Sequence, residues 1–305
     1  MLAVPDLAPS RNAAAAAAAG ALHGIARSVQ RDYGNTRRVV ILDAGEPADL
    51  ARKPVRATPG GKTQPHPTTP SPPPQPFAPA PPPPAAPGTE IIPATPRFGP
   101  EVIATRAENV IAGHALLSLL AEHAGRVEAC LLAVSHDTAL EAARQLMPCP
   151  VVGMTEAACF AACLVGARFG LVTFGGVETY RERIAQHGLA GRCAALVGVE
   201  ATPQEAVRDP DGVARKVQAG IARAVAEGAD AVVMGGAALA GMGPRLQAEA
   251  PVPLLDGIAA GVKLCEMLVA LKLPRPRAGS LAPPQGRASL GLDPALAALL
   301  RGGAA

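Results

Sequence analysis

The chain has 305 residues, 49% hydrophobic and 17% charged, with a net charge of +3; this suits a full globular core and gives no basic stripe for a nucleic-acid backbone. Aromatic residues are 2% with no Trp, which leaves little for base stacking, and no stretch is apolar and long enough to span a membrane. The six cysteines (Cys130, Cys149, Cys159, Cys163, Cys193 and Cys265) mostly lie in apolar runs without a C-x-x-C pair. That argues against a zinc site or a disulfide framework and for a reducing cytoplasm.

In chain order, residues 1–53 have little to hold a core and are expected to be poorly ordered, apart from "RRVVILDAG" (37–45), which reads as one strand. The N-terminal "AAAAAAAG" lacks the basic region of a signal peptide. Residues 54–87 carry 15 of the 33 prolines, as expected of an extended linker or a disordered stretch. From Gly88 onward β-rich runs recur: "TEIIPAT" (89–95), "ACLLAVS" (129–135), "PVVGM" (150–154), "RFGLVTF" (168–174), "CAALVGVE" (193–200), "DAVVMGG" (230–236) and "VPLLDG" (252–257). Most are followed by a helical period, and strands without polar alternation point to parallel sheets covered on both faces.

The helices announce themselves by caps: Thr155 before "EAACFAACLVGA", and Asp256 with Gly257 before "IAAGVKLCEMLVAL". Cys159 and Cys163 share a helix face but have no further ligand at a suitable spacing, which makes them small core residues. Residues 88–165 and 166–271 repeat the same order of strands and helices, and 272–305 form a tail with a short helix. The expected fold is α/β, two pseudo-symmetric lobes, each a parallel sheet covered by helices. The ends of "EACLLAVS" and "DAVVMGG" should face each other across a cleft, where open α/β sheets bind ligands.

Four segments, "APGTEIIPATPRFGPEVIATRAE", "MPCPVVGMTEAACFAACLVGARFGLVTF", "ADAVVMGGAALAGM" and "VPLLDGIAAGVKLCEMLVAL", together resemble the Asp/Glu/hydantoin racemase family from about Ala86 to Leu271. The resemblance implies a racemase or isomerase of small amino acids, hydantoins or related carboxylates that needs no cofactor. In the family, a thiolate on one lobe removes the α-proton and a thiol on the other returns one from the opposite face. This chain departs from that pattern at both places. Val134 stands where the first thiol belongs, in "VSHDTAL", and Gly236 stands where the second belongs, in Gly235-Gly236-Ala237. Ser135 or His136 is left as a proton carrier replacing the thiol.

For the remaining site residues two readings stand side by side. The N–H groups of Gly236, Ala237 and Ala238 at a helix N-terminus would hold a carboxylate or enolate oxygen, or Gly235 and Gly236 serve only close packing of helix on sheet. Asp137 contacts the substrate, or it caps the next helix with His136 exposed; a Ser135-His136-Asp137 relay is discouraged because adjacent residues point apart at a strand end. Thr173, ending a strand, matches a family position near the substrate carboxylate or makes a turn. Asp256 orients a ligand or caps a helix.

The stretch before Pro87-Gly88-Thr89 shows no match to the family's first strand and helix, which are expected to be missing. Residues 1 to about 85 then read as the product of a frameshift or misplaced start; if they are genuine, "RRVVILDAG" stands in as an edge strand. The sequence therefore predicts a cofactor-independent isomerase, with no metal, nucleic-acid or membrane partner and homo-oligomerisation left open. A non-catalytic small-molecule binder and a decarboxylase or lyase on the same scaffold are the alternatives.

Overall fold

Val39, Val40 and Ile41 are completely buried, because the strand that carries them is an inner one. The computed structural model describes residues 37–42, 85–100, 103–236, 239 and 241–302. β1 (Arg37–Leu42), β2 (Thr89–Ala94), β3 (Ala129–Leu132) and β4 (Val151–Gly153) form a sheet in the order β2-β1-β3-β4. β5 (Phe169–Phe174), β6 (Cys193–Val199), β7 (Ala231–Gly235) and β8 (Leu254–Asp256) form a second in the order β6-β5-β7-β8. All pairings are parallel, so one topology occurs twice, and the protein is α/β with two pseudo-symmetric lobes.

The expectation that residues 37–45 would supply an edge strand is corrected. Val39 pairs with Ile91 on one side and Ala129 on the other. An apolar run without polar alternation is suited to burial on both faces, which an inner position provides. A first strand is thus present. The predicted linker falls outside the described residues, apart from 85–87, as does most of 1–53.

The helices are α1 (Arg106–His123), α2 (Leu140–Leu146), α3 (Met154–Val165), α4 (Glu178–Gln186) and α5 (Pro203–Arg208), followed by α6 (Pro210–Ala226), α7 (Gly243–Gln247), α8 (Gly257–Leu271) and α9 (Pro294–Leu300). On one face of the first sheet, Leu116 and Leu120 of α1, Leu140 and Leu146 of α2, and Leu296 and Leu299 of α9 enclose Val40, Cys130 and Leu132. Ile258, Val262 and Cys265 of α8 cover Val39, Ile41 and Leu131 on the other face. The second sheet is covered by Val213, Val217 and Ile221 of α6 against Val172, Val197 and Val232. Opposite them, Ala158, Cys159 and Ala162 of α3, with Tyr180 and Ile184 of α4, pack on Phe169, Leu171 and Val233.

Each sheet is therefore completed by a helix that follows the last strand of one lobe and covers the other. α3 runs from β4 onto the second sheet, and α8 runs from β8 back onto the first. They start in close contact: a Cβ on Gly257 would come within 2.6 Å of the Met154 carbonyl oxygen, so only glycine permits this approach. The crossover ties the lobes together and fixes how their strand ends face. Among the described residues, no helix is long and apolar enough to cross a membrane.

The tail has a defined place, because α9 closes the core between α1 and the first sheet. Leu296 is 3% exposed, so Leu296→Ala removes most of a buried side chain and leaves a cavity. A loss of about 2–4 kcal/mol is expected, read as a lower midpoint at unchanged slope in urea denaturation.

Candidate active site between the two sheets

Ligands of open parallel sheets bind at the C-terminal ends of strands, where the strand order reverses. In the second sheet that point lies between β5 and β7, whose ends Thr173 and Gly235 are in register. In the first it lies between β1 and β3, and the chain leaving β3 carries Val134, Ser135, His136 and Asp137. The two ends meet. A Cβ built on Gly236 would lie 3.4 Å from the Tyr180 hydroxyl, 3.7 Å from Ser135 Oγ and 3.8 Å from Thr173 Oγ1. Ser135 and Thr173 both hydrogen-bond to the Tyr180 hydroxyl, so one lobe's serine joins the other's threonine and tyrosine.

The loop after β3 is held from below. Asp137, in the left-handed region at φ 46, is completely buried. Its Oδ1 accepts from the Thr155 N–H at 3.0 Å and its Oδ2 from the Glu156 N–H at 2.8 Å. It therefore caps a helix, but the helix is α3, reached across the sheet, and not α2, which follows it in sequence. This corrects the assignment of Thr155 as the cap of α3. The helix begins at Met154, where a carboxylate from the loop after β3 satisfies its first N–H groups, and the Thr155 hydroxyl instead donates to the Ser135 carbonyl at 2.6 Å. Asp137, Thr155 and Ser135 thus form one connected support.

The histidine beside Asp137 is not its neighbour in sequence. His187 Nε2 lies 3.4 Å from Asp137 Oδ2, and His187 Nδ1 lies 3.8 Å from Glu156 Oε1. Arg144 clamps Glu156 with two hydrogen bonds, at 2.9 and 2.5 Å. Burial pushes the Asp137 carboxyl above its ordinary value, against the pull of His187 and the two N–H groups.

His136 is half-buried, which corrects the expectation that it would be exposed. Its ring meets the Tyr180 ring edge-on, with centroids 5.9 Å apart. Burial, then the Arg183 guanidinium, push the imidazole below its ordinary value, partly opposed by Asp137. The result is a neutral ring at neutral pH, the form that accepts a proton. Burial likewise pushes the Tyr180 phenol up, although the Thr173 and Ser135 hydroxyls favour its ionised form.

Gly235 and Gly236 differ in what they do. A Cβ on Gly235 would lie 2.9 Å from Leu171 Cδ2 and 3.3 Å from Thr173 Cβ, so Gly235 serves close packing between strands. Gly236 has φ 105, a conformation that L-residues rarely adopt, and it borders the hydroxyl cluster. Gly236→Ala is therefore expected to cost about 1–2 kcal/mol from backbone strain, measurable by thermal or urea unfolding. The turn that follows Gly236 includes Leu239 in 3-10 conformation. The Leu239 N–H donates to the Gly236 carbonyl at 3.0 Å and the Met242 N–H to Leu239 at 3.1 Å, and α7 begins only at Gly243. Ala237 and Ala238 lie outside the described residues. Asp256 caps α8 through the Ile258 and Ala259 N–H groups and also accepts from the Gly241 N–H at 2.9 Å, which ties the 236–242 turn to that helix.

Val134 is 7% exposed against Ala112 and Ile103. Cys159 is completely buried in the core under α3, with Cys163 packed at its edge. Tyr180, His187 and Glu156 were not anticipated from the sequence. The one available signal was that Tyr180 is one of only two tyrosines, a few residues beyond Thr173.

The sequence and the fold have known counterparts. The family model described as Asp/Glu/Hydantoin racemase matches residues 80–265. The chain belongs to the Asp/Glu/hydantoin racemase family. It is 30% identical over 191 residues to a hydantoin racemase of Pseudomonas sp. (strain NS671), covering 60% of this chain and 75% of that one. To a hydantoin racemase of Rhizobium meliloti it is 27% identical over 207 residues, covering 67% and 86%. Among solved structures, the allantoin racemase from Klebsiella pneumoniae is similar, with a TM-score of 0.68 and 28% identity over 86% of this chain and 99% of that one. Membership in the family supports racemase chemistry on small molecules. In this member the facing strand ends carry Val134 and Gly236 where the family resemblance places thiols.

Proposed function

We propose that this protein is a cofactor-independent isomerase acting at the α-carbon of a small amino acid, hydantoin or related carboxylate, with His136 as its base. The observation that carries this reading is the meeting of the Ser135, Thr173 and Tyr180 hydroxyls at Gly236, where the ends of the two sheets face, with the His136 ring edge-on against the Tyr180 ring. A neutral imidazole beside hydroxyl donors is the minimum for removing an α-proton. The base takes the proton, and the Gly236 N–H, beside the hydroxyl cluster, holds the carbonyl or carboxylate oxygen onto which the electron pair moves. Asp137 acts here through Ser135 and α3. Work in the cytoplasm accords with the unpaired state of all six cysteines.

A second reading, a small-molecule binder without turnover, is favoured by Val134 and Gly236 in the thiol places. The deciding experiment follows the α-proton NMR signals of a panel of amino acids, hydantoins and allantoin in deuterated buffer with the full-length protein. Enzyme-dependent loss of an α-proton signal supports the isomerase. Binding by folded protein without exchange of any panel member overturns it in favour of the binder.

A further inference from the structure

Tyr180 is the group of the second lobe to which the reading above gives no step. Its ring is 4% exposed in the core with Leu171 and Ile184, yet its hydroxyl emerges at the facing strand ends. We propose that the Tyr180 phenol is the acid of the second lobe, returning a proton to the α-carbon; this rests on the isomerase reading of the same site.

Three observations support it. The first is position: the Tyr180 oxygen stands 3.4 Å from where a side chain at 236 would begin, and the φ of 105 at Gly236 is a backbone shape that disfavours any such side chain. A phenol reaches the space that residue 236 leaves empty. The second is hydrogen bonding. The Ser135 and Thr173 hydroxyls stabilise the ionised form of Tyr180, as an acid requires when its proton has left. The third is origin: His136 follows β3 of the first sheet and Tyr180 lies on α4 over the second, so the two proton carriers come from different lobes, as delivery to opposite faces requires. Burial keeps the phenol protonated at neutral pH, so it rests in the acid form.

The step balances. His136 takes the α-proton, and the electron pair of the broken C–H bond moves into the adjacent carbonyl. The Tyr180 O–H bond then breaks as that pair forms a new C–H bond. The remaining imidazolium and phenolate recover their resting forms by proton transfer from one to the other through water, and the reverse reaction begins from the charged pair. No oxidant, reductant or co-reactant is needed.

The test separates exchange from inversion. One enantiomer of each panel substrate is incubated in deuterated buffer, with α-proton loss followed by NMR and configuration by chiral chromatography. In Tyr180→Phe, inversion should fall by about 100-fold or more, while His136 continues to exchange the proton with retention. A second variant guards against a packing defect. The chain has two tyrosines, Tyr33 and Tyr180, so biosynthetic fluorotyrosine in a Tyr33→Phe background labels Tyr180 alone. The fluorinated phenol is the stronger acid, and the alkaline limb of the inversion rate should move to lower pH, which a packing role would not produce. Inversion by Tyr180→Phe at the wild-type rate, or an alkaline limb that stays in place, overturns the inference and leaves the isomerase reading intact. A wild-type protein that neither exchanges nor inverts any substrate overturns both.

Discussion

His136→Ala is expected to slow α-proton exchange by about 100- to 10,000-fold, the usual contribution of a positioned general base, with little change in urea stability. The half-buried ring touches Tyr180 at its edge, so its removal opens little of the core. His136→Gln preserves much of the side-chain volume without a titratable nitrogen and should be equally slow. The pH dependence follows from the direction of the shift. Burial and Arg183 hold the imidazole below its ordinary value of 6.5, and the base works only when deprotonated. Exchange should therefore stay on a plateau at neutral pH and fall only as the pH drops through this lowered value. A limb at or above 6.5, or full exchange by His136→Ala, would assign the base elsewhere.

Asp137→Ala is expected to lower stability by about 2–4 kcal/mol. It strips a completely buried carboxylate from the Thr155 and Glu156 N–H groups, and buried donors left without partners carry most of the cost. Ser135 should loosen as well, since the Thr155 hydroxyl that holds its carbonyl sits on the same helix turn. Exchange should therefore fall together with stability. Asp137→Asn keeps one acceptor oxygen and should lose less.

The difference between wild type and Asp137→Asn should also depend on pH. The folded carboxyl is held above its ordinary value of 3.8, so between the two values the folded state binds more protons than the unfolded chain. This group's contribution is full below 3.8 and declines as the pH rises through the folded value. The stability advantage of wild type over the variant should narrow in that direction in urea titrations at successive pH values. A gap that widens with rising pH would contradict the raised carboxyl.

Much of the fold was legible in the sequence because parallel strands buried on both faces and amphipathic helices leave periodic local marks. The β-rich runs from residue 89 onward contain β2 to β8, and Asp256 was a correct cap because its helix follows directly. Thr155 and Asp137 show where local reading stops. A helix start is usually capped by the residue just before it, but here the acceptor comes from the loop after a different strand, 18 residues away along the chain. The site divides in the same way. Ser135, Thr173 and Gly236 were legible as candidates because strand ends are predictable positions, whereas Tyr180 and His187 reach the candidate site from α4 and its end, and no spacing rule connects them to β3.

By itself the sequence determined the α/β class, the two matching lobes and the strand ends that face each other, since these follow from short-range hydrophobic pattern and repeat order. Only the tertiary structure decided that β1 is an inner strand, that α3 and α8 exchange lobes, that α9 closes the first core, and that a serine, a threonine and a tyrosine share one point. The physical reason is that hydrogen bonds and packing across a sheet depend on distances between segments far apart in the chain. Local pattern fixes which face of a segment is buried, but not which partner buries it.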